Sequence, residues 1–368
     1  MDKEFGANGF YSEFFPEQKE YTKTVFSSLS LSSGFDNLEF NPQLYVRTHK
    51  DRFLLDRTNP SFYENFHTTW IKGIKSDLIL ETSTGRLLLG YDAAGESIDS
   101  TSLGKHNRQR STVYSAYTIE NMPWIISFGG TGYFYQGFKE AFKPDISAGY
   151  LLKRNTKIRV GFSQSFRIPS FTELYYQSPA NIGNENLKAE KSDNFEAGID
   201  YTESHVHFAC AFFKRKGKNL IDWVREPSQT VYEIKNIKKV TTDGIEASLE
   251  ISPESDSWRE FFLGYAYTRR NEQDSQLISK YVFDYLKHKF IMRTGFFMPF
   301  KIMFDSETEY MQRDNKGGDF IMNSKISKEI KSGTVFFKAD NLFNHGYAEK
   351  ANIPMPGRWV FVGIKIDW

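Results

Sequence analysis

The last thirteen residues, Pro356 to Trp368, alternate strictly: Val360, Val362, Ile364, Ile366 and Trp368 share one face, and Phe361, Gly363, Lys365 and Asp367 share the other. A period of two is the period of a β-strand. One face suits lipid and the other a polar lumen, and an aromatic last residue, Trp368, is read as the barrel-assembly terminus of an outer-membrane strand. A soluble edge strand could alternate in the same way, so the rest of the chain has to decide.

Aromatic content is 16% while overall hydrophobic content is only 39%, and mean hydropathy is -0.52. Many large apolar groups without long apolar runs is what alternation between lipid and lumen produces. No stretch of about 18 apolar residues occurs, which excludes a transmembrane helix. With 47 basic and 46 acidic side chains the charge is near balance, and no nucleic-acid partner is expected. Cys210 is the only cysteine, so no intrachain disulfide forms; alternating with Val206, Phe208 and Phe212, it reads as a small apolar residue of the outer face.

Alternating segments recur from about residue 18 onward and helical periodicity is nowhere convincing, so the chain reads as all-β. Phe195/Ala197/Ile199/Tyr201 oppose Glu196/Gly198/Asp200, and Ile245/Ala247/Leu249/Ile251 oppose Glu246/Ser248/Glu250. The alternation predicts Phe195, Ile199, Leu249, Leu263 and Val362 toward lipid, and Glu196, Glu246, Glu250 and Lys365 toward a lumen that a plug or paired cations would fill.

Connections alternate in length. Short turns are expected near 33-37, 75-77, 120-123, 154-156, 202-204, 253-257, 298-300 and 329-333. Longer polar loops are expected at 51-64, 95-108, 137-144, 167-188, 216-239, 270-283, 312-318 and 341-356. One clipped rim and one elaborated rim is the asymmetry of a transmembrane antiparallel barrel. The count is about 17 strands in one closed domain over 1-368. An odd count, together with a first nine residues that hold no basic and apolar leader, predicts a portion lying upstream.

Two stretches resemble a known family. Arg167-Ile168-Pro169-Ser170-Phe171-Thr172-Glu173-Leu174-Tyr175, then Gly183-Asn184-Glu185-Asn186-Leu187-Lys188-Ala189-Glu190, then Glu196-Ala197-Gly198, resembles the ordered signature of TonB-dependent receptors. Asn341-Leu342-Phe343-Asn344, Tyr347 and Pro354-Met355-Pro356-Gly357-Arg358 are similar to that family's closing motif. Phe5 to Tyr11 and Lys218 to Trp223 look similar to its vitamin B12 transporter-like branch. The resemblance implies an outer-membrane barrel of 22 strands around a plug, of which about 17 strands and no plug would be present here. It also implies active uptake of a scarce nutrient, a corrinoid or an iron-siderophore complex, energised by the TonB complex through a region ahead of this chain. Outer-membrane lipid and the barrel assembly machinery would be its other partners. The alternative is a passive channel or adhesion barrel without a plug.

Within the long loops, Phe53, Tyr63, Tyr175, Tyr176, Trp223 and Tyr232 are candidates for stacking on a substrate, the competing reading being loop packing or an interface girdle. Gly183-Asn184 is expected to set a turn with positive backbone angles, and Arg167 and Arg358 to anchor loops. His205 and His207 lack an adjacent third metal ligand, and no nucleophile motif accompanies the remaining histidines, so neither an enzyme, a metal centre nor a cofactor is expected.

Overall fold

The computed structural model describes every residue except 7-13, 256, 273-276, 281-284, 315, 351-352 and 367-368. Trp368 therefore lies outside the described residues. Eight strands come first: β1 Lys19–Ser30, β2 Leu38–Leu54, β3 Glu64–Thr82, β4 Gly85–Ser100, β5 Gly104–Asn121, β6 Trp124–Tyr135, β7 Ala141–Lys153 and β8 Thr156–Arg167. A five-residue helix, α1 (Phe171–Tyr175), interrupts them. Nine more follow: β9 Glu190–Glu203, β10 Val206–Arg225, β11 Tyr232–Ile251, β12 Trp258–Glu272, β13 Leu286–Met298, β14 Ile302–Arg313, β15 Gly318–Ile330, β16 Gly333–Asp340 and β17 Trp359–Ile366.

Each of these strands pairs antiparallel with the next, as the expected count of about 17 requires. A short ribbon, Asp2–Gly6, lies along Lys19 to Lys23 of β1. Among the described residues no pairing joins β17 to β1, so the sheet keeps two free edges. The sheet is nevertheless rolled. Arg225 at the end of β10 sits 5.2 Å over the ring of Phe14, just ahead of β1. Tyr63, between β2 and β3, donates to the Gln177 carbonyl between β8 and β9 at 3.1 Å. Residues so many strands apart meet only if the wall curves back on itself.

Register fixes the two faces. Ile199, Cys210, Ala247, Tyr265, Phe290, Tyr310 and Phe320 form one continuous row across β9 to β15 on the outside. The adjacent row, Gly198, Ala211, Glu246, Ala266 and Lys289, lines the inside. Phe195 and Val362 are exposed outward, and Leu249 and Leu263 share the outer row with Phe208. Glu250 falls in the inner row with His207 and Phe262, and Lys365 lies on the face opposite Val362. Inner charges are paired: Arg159 with Glu196 and with Asp200 (3.1 Å), Arg108 with Glu96 (2.7 Å), and Arg110 with Asp92 (2.9 Å).

On β2 and β3 the outward band consists of Phe40, Leu44 and Val46 beside Ile74, Leu78 and Leu80. Beyond it, toward the longer connections, come Lys72, whose ammonium lies 5.7 Å over Trp70, and then Thr48, Thr68, Lys50 and Arg52. A cation over an aromatic at the edge of an apolar band marks a lipid headgroup level. The strands continue well past it.

Several expected boundaries are corrected. There is no turn at 75-77: Lys75 and Asp77 pair at 3.1 Å inside the wall, and β3 runs on to Thr82 before turning at Ser83 and Thr84. The expected loop at 95-108 is a three-residue connection between Ser100 and Gly104, and the one at 216-239 shrinks to the residues between Arg225 and Tyr232. In the last two stretches, above the lipid, both faces of a strand meet water and polarity on both faces imitates a loop; at 75-77 it is the run Lys75, Ser76, Asp77 within the band that imitates a turn.

Candidate functional site

The site is built where the longer connections gather. Ser170 caps α1, its Oγ accepting from the Glu173 amide (3.2 Å) while Glu173 Oε2 accepts from the Ser170 amide (2.7 Å). This reciprocal capping fixes a helix too short to persist alone. Arg167 then donates to both oxygens of Glu173 (2.9 and 3.0 Å) and of Glu190 (2.8 and 2.8 Å). Glu190 also accepts from the Ile221 amide at 2.6 Å, drawing β10 into the same clamp.

From β5, Arg108 donates to the Pro169 carbonyl (2.6 Å) and lies 4.6 Å over Phe171. His106 stacks flat on Tyr175, with centroids 3.6 Å apart and planes 2° apart. Neither Gly183 nor Asn184 is in the left-handed region, contrary to the expected turn with positive backbone angles. The role of Gly183 is close approach: a Cβ there would meet the Tyr176 nitrogen at 2.8 Å and the Leu174 oxygen at 2.9 Å. Asn184 does turn its own backbone, accepting from the Asn186 amide at 2.9 Å. At the other motif, the Arg358 amide donates to Asn344 Oδ1 (2.8 Å) and its guanidinium to the Leu342 carbonyl (3.4 Å), a loop anchor as expected.

The six aromatic candidates form one layer. Tyr63, Tyr175 and Trp223 pack on a cluster of Ile98, Leu103 and Tyr176. Phe53 meets Tyr63 edge-on at 6.4 Å. Tyr232 lies between the charges of Lys280 (4.2 Å) and Arg225 (5.3 Å), and Lys280 also reaches Trp223 (5.7 Å). Phe53, Tyr176 and Tyr232 are only 1–3% exposed, so what they contribute is the shape of the layer. Tyr63, Tyr175 and Trp223 are partly exposed and retain faces of their own.

Sequence reasoning did not single out Arg225, Lys280, His106 and Arg108 as parts of this layer. Arg225 carries a legible signal, two residues after Trp223; His106 comes from a remote strand and carries none. His205 and His207 turn to separate partners, Glu254 (3.0 Å) and Thr202 (2.8 Å). Among the described residues no metal-holding group gathers.

Beneath the layer, three to five residues above the apolar band, Asp51 has His49 Nε2 at 3.6 Å and His67 Nε2 at 3.9 Å. Burial, aided by the Glu20 charge, pushes Asp51 up to about 7. Burial, aided by His49, pulls His67 down to about 4. Fully buried Asn65 touches His67 Nε2 (2.5 Å) and accepts from Thr101 Oγ1 (2.5 Å) and the Ser102 amide (3.1 Å). That chain ties the cluster to Leu103 in the aromatic layer.

A rolled antiparallel wall, apolar outside and charged inside, roofed by an aromatic layer on its longer-looped rim, defines a transmembrane β-barrel receptor. Residues 4–341 match the family model for the TonB dependent receptor-like β-barrel, and the chain belongs to that family. Similar solved structures include the siderophore receptor PirA from Pseudomonas aeruginosa (TM-score 0.74, 16% identity, covering 94% of this chain and 64% of that one). The FrpB iron transporter from Neisseria meningitidis is another (TM-score 0.75, 12% identity, covering 94% and 64%). A ferric enterobactin receptor of Pseudomonas aeruginosa is 22% identical over 168 residues, 38% of this chain and 22% of the relative. The chain thus spans less than two thirds of the length of these relatives.

Proposed function

We propose that this chain serves the uptake of a ferric chelate across an outer membrane, energised through TonB. The observation that carries it is the aromatic and cationic layer on the longer-looped rim of a family barrel. Tyr63, Tyr175 and Trp223 offer ring faces, and Arg225 and Lys280 place charge beside Tyr232. Relatives described as siderophore and iron transporters support iron over a corrinoid as the cargo. On this reading the partners are the TonB complex, outer-membrane lipid, the barrel assembly machinery and the chelate itself.

The test is accumulation of radiolabelled iron, supplied as defined chelates, in the native host with the gene intact or deleted and with TonB present or absent. Gene- and TonB-dependent iron accumulation is expected. Gene-dependent accumulation of labelled cyanocobalamin instead would replace iron by a corrinoid, and entry independent of TonB would favour the passive channel.

A further inference from the structure

On the outer face of β2 to β6 the wall is hollowed at the headgroup level. A groove of about 710 Å³ runs there, floored by Ala93, Gly95 and Ser111 and walled by Ile74, Tyr91 and Phe134. Register sets these positions: Leu44, Ile74, Ala93, Ser111 and Phe134 form one outward row, and Val46, Lys72, Gly95 and Gln109 form the next row up. A Cβ at Gly95 would meet nothing within 4 Å, so the floor is open at that point. A second hollow of about 440 Å³ continues past Trp70 and Lys72 to Ser97, Asn107 and Gln109. Because Lys72, Gly95 and Gln109 line both, the two make one groove that crosses from the apolar band into the polar zone above it.

Its two ends differ in chemistry. At the lower end Ile74, Tyr91 and Phe134 are each 44% exposed, leaving apolar walls on either side of a floor of small residues. Such a floor lets a hydrocarbon chain lie close against the backbone. At the upper end Lys72 is exposed beside Trp70 and makes no ion pair among the described residues. The outward carboxylate higher on β4, Asp99, is taken by Lys105 at 2.9 Å. The side chains of Ser97, Asn107 and Gln109 make no hydrogen bond among the described residues. Amide side chains both donate to and accept from hydroxyls, and an ammonium without a carboxylate accommodates a phosphate. An apolar lower end, a polar upper end and a position across the membrane boundary together match one amphiphile standing upright against the wall.

We propose that this groove is a binding site for one membrane lipid with a phosphorylated sugar head. An acyl chain lies over Ala93 and Ser111 between Ile74 and Phe134, Lys72 takes the phosphate, and Asn107 and Gln109 bond the sugar hydroxyls. The site faces away from the lumen, and the inference stands apart from the uptake reading and its cargo.

Native mass spectrometry of the full chain in detergent tests it, after incubation with monophosphoryl lipid A or with phosphatidylcholine. One retained lipid A per chain is expected, and no retained phosphatidylcholine. Lys72→Gln should lower lipid A retention about fivefold or more. Gly95→Trp, which fills the groove and keeps the ammonium, should lower it as well. Lys105→Gln removes a cation of the same face outside the groove and should leave retention unchanged. Heat-modifiable migration on gels reports that each variant is folded. Failure of the wild type to retain lipid A, equal retention of the two lipids, unchanged retention in either folded groove variant, or an equal loss in Lys105→Gln overturns the site.

Discussion

Arg167 and Glu190 face each other as a two-bond fork, Nε to Oε2 and Nη2 to Oε1, both at 2.8 Å, across the paired ends of β8 and β9. Because the same guanidinium also holds Glu173, one side chain fastens α1, β9 and, through Glu190, the Ile221 amide of β10. Arg167→Ala should destabilise this region by about 1–3 kcal/mol, less than a fully buried pair because Arg167 is half exposed. Burial raises the Glu190 carboxyl, but the bonds from Arg167 and the Ile221 amide outweigh it and leave it below its ordinary 4.5. A depressed carboxylate stabilises above its unfolded value and loses that contribution as pH falls below it. Limited proteolysis should therefore cut the segment between β8 and β9 sooner in the variant, and sooner in the wild type once pH drops below 4.5. Equal cutting of variant and wild type at neutral pH would dismiss the clamp.

Asp51 and His67 oppose each other in pH dependence. Asp51 keeps its proton to about pH 7 when folded, against 3.8 unfolded, so across that interval stability falls as pH rises. His67 protonates only below about 4 when folded, against 6.5 unfolded, so across that interval stability rises with pH. The slopes offset one another and the wild type should be nearly flat between 4 and 6.5. Asp51→Asn should leave a midpoint of thermal unfolding that climbs with pH in this range, and His67→Gln one that declines. Flat profiles in both variants would show that neither group is shifted.

Ala247 and Ser248 are adjacent in sequence and opposite in environment. Ala247 stands in the outer row between Cys210 and Tyr265, and Ser248 in the inner row between Ala209 and Gly264. Ala247→Arg should cost about 2–4 kcal/mol of insertion free energy, whereas Ser248→Arg should be tolerated. Folding into vesicles, followed by gel mobility, measures both. Equal effects would reverse or abolish the assigned faces.

Tyr176 and Trp223 should separate shape from contact. Tyr176→Ala removes a ring that is 2% exposed and should loosen the layer by about 3 kcal/mol, visible as faster hydrogen exchange around α1. Trp223→Ala should weaken chelate binding with a smaller effect on exchange. Identical exchange and binding profiles for the two would remove the distinction.

Much of the wall was legible because period-two patterning reports which face a residue occupies, and the lipid and lumen rows follow it from Phe195 to Val362. Strand ends were less so. Inside the band Lys75, Ser76 and Asp77 place three polar residues in a row, which is why 75-77 reads as a turn, whereas 95-108 reads as a loop because patterning weakens once a strand leaves the lipid. At the site, the aromatic types were visible but their convergence was not, because Tyr63 reaches Gln177 and His106 reaches Tyr175 through the curvature of the sheet. Gly183 was legible as special, but the reason, contact with the end of α1, exists only in three dimensions.

Eight residues of β3, Glu64 to Ile71, stand above the headgroup level marked by Lys72. At about 3.3 Å per residue and a tilt of roughly 40°, they lift the aromatic layer about 20 Å clear of the lipid. At β2 and β3 the rim is thus paired strand, with only residues 55-63 between them. Paired backbone has little freedom left to lose on binding, so selectivity at this part of the entrance would come from fit against a standing surface.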